Sequence, residues 1–185
     1  MTLRFAILGA EIPYTGRELR SGWVGEHTGF SGDIAAAFFG PCHVATEDLV
    51  DLDDRRTGAT IDAARMLHVL IEHPGCSMES LVLRQRIFVC ILCECLAARG
   101  VVVVRDGDDV YVHGRKLTVS IAAPGPHAGL IHLGINVDPS GAPVSAVGLI
   151  ELGIDERDLA RELLDVYAAE LVSAAHAQTK VDTVE

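Results

Sequence analysis

Hydrophobic and polar positions alternate most regularly between residues 101 and 137. Val101–Arg105 is apolar and β-branched, and Asp106-Gly107 is a hairpin dipeptide. Val110–Val112 predicts a second strand, and His113-Gly114 turns the chain into a third, Arg115–Ala123. Pro124-Gly125-Pro126 interrupts it, and Leu130–Val137 returns as the fourth. Side chains on a strand point to opposite faces with period two. Leu117, Val119 and Ile121 therefore share one face of the third strand with Lys116, Thr118 and Ser120 on the other. In the fourth strand Ile131, Leu133, Ile135 and Val137 face away from His132, Gly134 and Asn136. If the apolar faces pack on one core, Lys116, Thr118, Ser120, His132 and Asn136 line a common polar surface. An antiparallel sheet with one solvated face gives the same pattern without a function.

The flanking pattern predicts further elements. Leu3–Leu8 and Asp33–Phe39 read as strands, and Thr15 as the cap of a helix from Gly16 to about Gly25. Ala64–Glu72 alternates, with Leu67, Val69 and Ile71 opposite Met66, His68 and Leu70. His68 reads as a pocket residue or as a satisfied core histidine, the latter being the commoner case. Ser77 caps the clearest helix, Met78 to Ala98, which Gly100 stops. Its expected apolar stripe runs through Leu81, Ile87, Cys90, Ile91 and Leu96. A last helix runs from Glu156 to about Ala175, and residues from about 178 read as a frayed tail. Residues 42–62 carry the least regular pattern. Asp51, Asp53 and Asp54 there offer hard oxygen donors for a divalent cation or an amine, or form a solvated loop with local ion pairs.

Composition narrows the function. The 185 residues are 49% hydrophobic and 22% charged, as expected of one folded domain spanning residues 1–185. A net charge of −11 with no basic block argues against a nucleic-acid partner. No apolar run has the length of a membrane span, and no signal-peptide pattern opens the chain, so a cytoplasmic protein with no membrane partner is expected. The five cysteines then read as thiols. Cys90, Cys93 and Cys95 lie in mid-helix without a second pair at zinc spacing, which favours packing over metal ligation.

The order of motifs resembles the catalytic domain of biotin and lipoate protein ligases, in the class II aminoacyl-tRNA synthetase and biotin synthetase-like superfamily. Those enzymes carry Lys-Trp-Pro-Asn-Asp, then Gly-x-Lys-Leu, then a strand ending Gly-Ile-Asn-Val. This chain has Arg105-Asp106-Gly107-Asp108-Asp109, then Gly114-Arg115-Lys116-Leu117, then Gly134-Ile135-Asn136-Val137. The chain also resembles an uncharacterised prokaryotic domain family that looks like a compact relative of these ligases. The resemblance implies an α+β fold, with a mostly antiparallel mixed sheet flanked by helices.

It also implies roles, residue by residue. Lys116 matches the lysine that contacts the acid carboxylate and the nucleotide α-phosphate, where negative charge builds during adenylation. Arg105 falls at the other meander lysine, and Asp109 would orient Lys116 through a charge-assisted hydrogen bond. Asp108 and Gly114 fall within the same ligand-binding motifs. Asn136 matches an asparagine beside the nucleotide, and Thr15 falls near a Ser-Thr motif. ATP and Mg²⁺ are the implied cofactors. The chain departs from the pattern at the adenylate-wrapping Gly-Arg-Gly-Arg loop, where it has Asp51-Leu52-Asp53-Asp54-Arg55-Arg56. Acids there repel a phosphate unless a divalent cation bridges them. Val119-Ser120-Ile121 also replaces the ligases' Gly-Ile-Leu. The expected function is acyl activation or transfer on a small-molecule ligand. The alternatives are non-catalytic binding or a homodimeric interaction protein on the same fold.

Overall fold

The alternating segments assemble into two sheets in the computed structural model, which describes residues 2–184. Met1 and Glu185, the ends of the expected span, lie outside the described residues. The larger sheet has the order β1-β2-β3-β8-β7. It comprises β1 (Arg4–Glu11), β2 (Ile34–Val44), β3 (Ile61–His73), β7 (Thr118–Pro124) and β8 (Gly129–Asp138). Only the β1–β2 pair is parallel, so the sheet is mixed and mostly antiparallel, as expected. A smaller sheet is built from β4 (Val104–Asp106), β5 (Asp109–Val112) and β6 (Arg115–Lys116).

Both faces of the large sheet are covered. Leu67, Val69 and Ile71 of β3 and Ile131, Leu133 and Ile135 of β8 pack on α3 (Met78–Ala98) and α5 (Glu156–Ala177). Met66 and Leu70 face the other way, onto Tyr14, Trp23 and Phe38, beside the short helix α1 (Trp23–Thr28). Ser77 and Asp155 cap α3 and α5 by accepting from backbone N–H groups. Buried His73 ties α5 to the sheet: its Nδ1–H donates to Asp33 at 2.6 Å, and Tyr167 O–H donates to Nε2 at 2.9 Å.

Several expectations change. The third meander strand is two strands, because Leu117 leaves one sheet and enters the other. Its N–H donates to Val110 of β5, and its carbonyl accepts from Asn136 of β8. This break shifts the phase. Thr118 lies opposite Ile135 and Ser120 opposite Leu133, on the α3 side, whereas Val119 and Ile121 share the His132 face. The helix expected from Gly16 is a turn, and helix begins only at Trp23. Residues 42–62 contain the end of β2, a short helix α2 (Leu52–Thr57) and the start of β3. The buried stripe of α3 runs through Phe88, Val89, Leu92 and Leu96, while Ile87 is exposed. That helix is apolar nearly all round, so spacing alone does not choose its face. Four residues, Leu149–Leu152, form the helical turn α4.

Leu117 is fully buried at the crossing. Leu117→Ala should destabilise the protein by about 2–5 kcal/mol in urea unfolding, the range for a large-to-small core change.

Candidate functional site

Where the two sheets meet, the chain encloses a cavity of about 350 Å³. One wall comes from β5, β6 and the segment around Ala146, the floor from β7 and β8, and the far wall from residues 44–62. Tyr14 is brought to the floor by the chain after β1, which continues alongside β2. Ile12 N–H donates to Phe39, and Tyr14 N–H donates to Pro41. Gly40 permits this approach, since a Cβ there would sit 2.2 Å from the Ile12 oxygen.

Lys116 stands in the wall. Its Nζ donates to Asp109 Oδ2 at 2.8 Å, and each side chain is 28% exposed. Tyr111 O–H also donates to that oxygen at 3.3 Å. The Lys116 backbone is held between Ser145 and Val147, and its carbonyl accepts from Asn136 Nδ2 at 3.2 Å. Asp108 lies next to this pair and is fixed from α3. Gln85 donates to it at 2.7 Å and Arg86 at 2.9 Å. Burial raises the Asp108 pKa against the pull of Arg86.

The floor is a stack of neutral rings. Tyr14 lies 4.0 Å from His132 and 4.9 Å from His68, centre to centre. His68 Nδ1 and His132 Nε2 are 3.1 Å apart. Burial drives the His68 pKa down to about 3. Burial first, then the neighbouring His68, holds His132 well below the usual range. Cys42 bridges to Tyr14 through its backbone, and burial pushes its thiol up to about 12, so it is no thiolate nucleophile near neutral pH.

Of the residues expected at the site, Lys116, Asp108, Asp109, Ser120, His132, Asn136, Asp51 and Asp54 line the cavity. Ser120 has its hydroxyl occupied, accepting from Gln85 at 2.9 Å and donating to the His132 carbonyl at 3.1 Å. The rest do not line the cavity. Arg105 is exposed and donates to the Gly107 carbonyl of its own hairpin. Gly114 is exposed in a tight turn. Thr118 is buried on the opposite face, accepting from Val110 N–H at 2.9 Å. His68 sits behind His132. Thr15 is tied to Glu18, while its neighbours Tyr14 and Gly16 reach the cavity. Asp53 pairs with Arg56 in solvent. Asp51 caps α2 by accepting from Asp53 and Asp54 N–H, so the three acids do not converge as ligands. Among the described residues no group of three or more His, Cys, Asp or Glu side chains is placed to hold a metal ion.

Tyr14, Asp48 and Asp62 were not anticipated at the site. Tyr14 follows a proline in an irregular segment, and the two acids carry no motif. With them, six aspartates and one lysine line the cavity among the described residues. Asp48 meets Arg17 at 3.2 Å, and Asp62 pairs with His43.

A family model described as Domain of unknown function (DUF366) matches residues 3–182. An uncharacterized protein of Methanocaldococcus jannaschii is 34% identical over 167 residues, which are 86% of this chain and 76% of that protein. The solved structure of a protein of unknown function from Pyrococcus horikoshi superposes with a TM-score of 0.93 at 33% identity, covering 100% of both chains. Biotin and lipoate protein ligases share the fold at low identity. For lipoate-protein ligase A bound with ATP the TM-score is 0.60 at 14% identity, over 94% of this chain and 86% of that one.

The ring stack makes stability depend on pH. His68 stays neutral in the folded state down to about pH 3, whereas in the unfolded chain it takes a second proton near the ordinary value of about 6.5. Its contribution is therefore unaffected above about pH 6.5. Stability falls below that by about 1.4 kcal/mol per pH unit for this histidine alone. Urea unfolding of the wild type and His68→Phe at about pH 7.5, 6 and 5 should show a shallower acid slope in the variant.

Proposed function

We propose, for a chain that belongs to the family described as Domain of unknown function (DUF366), that the Lys116 cavity binds a nucleotide or small carboxylate and serves acyl activation or transfer. The observation that carries this reading is the Lys116–Asp109 pair. It places a partly exposed ammonium group in the wall of a small cavity, beside Asn136. An ammonium there can take on the charge of a ligand carboxylate and of the group that develops when it is activated. Asp109 holds Lys116 in the wall, and Asp108, fixed from α3, supports that part of the hairpin.

The acidity of the cavity limits the form of any nucleotide. Bare polyphosphate does not suit a cavity lined by six aspartates and one lysine. ATP would fit only as a Mg²⁺ complex, with Asp51 and Asp54 as the carboxylates that balance the cation. The same acidity favours a second reading, binding of a small molecule without catalysis. Exposed Leu83, Ile87, Val102 and Val104 support a homodimer as part of the proposal. No described helix is long and apolar enough to cross a membrane, and a cytoplasmic location belongs to the same reading.

ATP–pyrophosphate exchange across a panel of small carboxylic acids tests catalysis. Lys116→Ala should lower exchange by about 100-fold or more, since a charged group at the reacting centre is lost. Arg105→Ala should leave it within about twofold, in keeping with a side chain bound to its own hairpin. A saturable thermal shift without exchange would favour the second reading. Absence of both exchange and binding would reject the proposal.

A further inference from the structure

His132 lines the cavity yet is 3% exposed, and its bonding is incomplete. Its Nε2 is turned back on His68 Nδ1, which leaves Nδ1 as the other ring nitrogen. Among the described residues Nδ1 has no hydrogen-bond partner. The unpaired side-chain atoms sealed from solvent are Ser21 Oγ and His68 Nε2, so His132 Nδ1 opens on the cavity.

The pair admits two tautomers, and the surroundings of His68 select between them. His68 Nε2 is sealed and out of good hydrogen-bond geometry, but the Gly40 backbone acts on this ring as an acceptor does, favouring a proton. A bare ring nitrogen against an acceptor would set lone pair against lone pair. The His68 proton therefore belongs on Nε2, and its Nδ1 accepts from His132 Nε2–H. A neutral imidazole carries one N–H, so Nδ1 of His132 is bare. Burial keeps both rings neutral, so no second proton fills that position near neutral pH.

We propose that His132 presents this unprotonated nitrogen to the cavity as a hydrogen-bond acceptor, and so selects a ligand that carries an amine N–H beside its carboxylate. The charge of the walls points the same way. Three of the six lining aspartates meet a cation, Arg17, Arg86 or Lys116, and Asp62 meets the His43 ring. Asp51 accepts only backbone N–H groups, and Asp54 has no cationic partner among the described residues. The cavity thus offers two carboxylates and one imidazole lone pair to a donor, and Lys116 to an acid. The inference rests on the reading of this cavity as the ligand site.

The test combines ¹⁵N-histidine NMR with three probes: hexanoate, 6-aminohexanoate and hexylamine. In the free protein at about pH 6 to 8, His132 should show a protonated Nε2 and an unprotonated Nδ1. Titration with 6-aminohexanoate should move the Nδ1 resonance and show about tenfold tighter binding than hexanoate, the scale of one hydrogen bond to a charged group. In His132→Phe, which keeps a flat ring against Tyr14, the preference should fall below about twofold. A proton on Nδ1 overturns the inference whatever binds, and so does a preference unchanged in a folded His132→Phe. Hexylamine separates the two readings. If it moves His132 while hexanoate leaves Lys116 unmoved, the acceptor role stands and the carboxylate anchor at Lys116 falls. If none of the three moves either residue, both fall.

Discussion

Leu117 belongs to both sheets, and the site depends on that. Its N–H is bonded to β5 and its carbonyl to β8, so the backbone is shared between the meander and the main sheet. Burying its side chain holds the crossing against the α3 side of the sheet. The residue before it, Lys116, then projects into the cavity from the small sheet. Asn136 approaches the same backbone from β8 and accounts for the Lys116 carbonyl. A continuous strand through this point would keep Lys116 in phase with Thr118 and Ser120. The break separates Lys116 from Thr118, leaving the lysine in the cavity and turning Thr118 into a structural acceptor behind it.

This crossing also explains what alternation can and cannot reveal. Period two correctly assigns the faces of β3 and β8, because those strands are long, internal and paired on both sides. It therefore puts His132 and Asn136 opposite the apolar core. It misplaces Thr118, Val119, Ser120 and Ile121, because a one-residue change of phase leaves no mark in composition. Arg105 was placed by motif position, yet its hairpin aims the guanidinium at its own turn. Tyr14 and Asp62 reach the cavity only through tertiary packing, and no local spacing announces them. The acids at 51–54 were legible as acids. That Asp51 caps a helix start follows from the backbone N–H groups it accepts, which the side-chain pattern does not encode.

The helix α3 contributes to the site from behind. Gln85 is buried and donates to both Asp108 and Ser120, so a single amide ties the hairpin of the small sheet to β7 of the large one. A buried amide with both donors used is a rigid link, because breaking either bond strands a polar group away from water. Arg86 adds a second contact to Asp108 and lies against Gly107, where a Cβ would sit 2.7 Å from the guanidinium. The position of Asp109, and through it Lys116, is thus set by an element that does not itself line the cavity.

The Lys116–Asp109 pair then constrains what can bind. An ammonium group has three donors, and Asp109 takes one of them, so a ligand carboxylate can add a bond without breaking the pair. Such a ligand would be oriented by Lys116, but its charge would be added to walls already richer in carboxylates than in cations. Partial burial makes that excess act more strongly than it would in open solvent. A purely anionic ligand gains one contact and meets repulsion from the remaining acids. A ligand that brings its own positive charge meets the same lysine with one end and relieves the acids with the other. The neutral floor of Tyr14 and His132 cannot supply that charge, since its imidazole is held uncharged by burial. Compensation must come from the ligand or from an ion that enters with it.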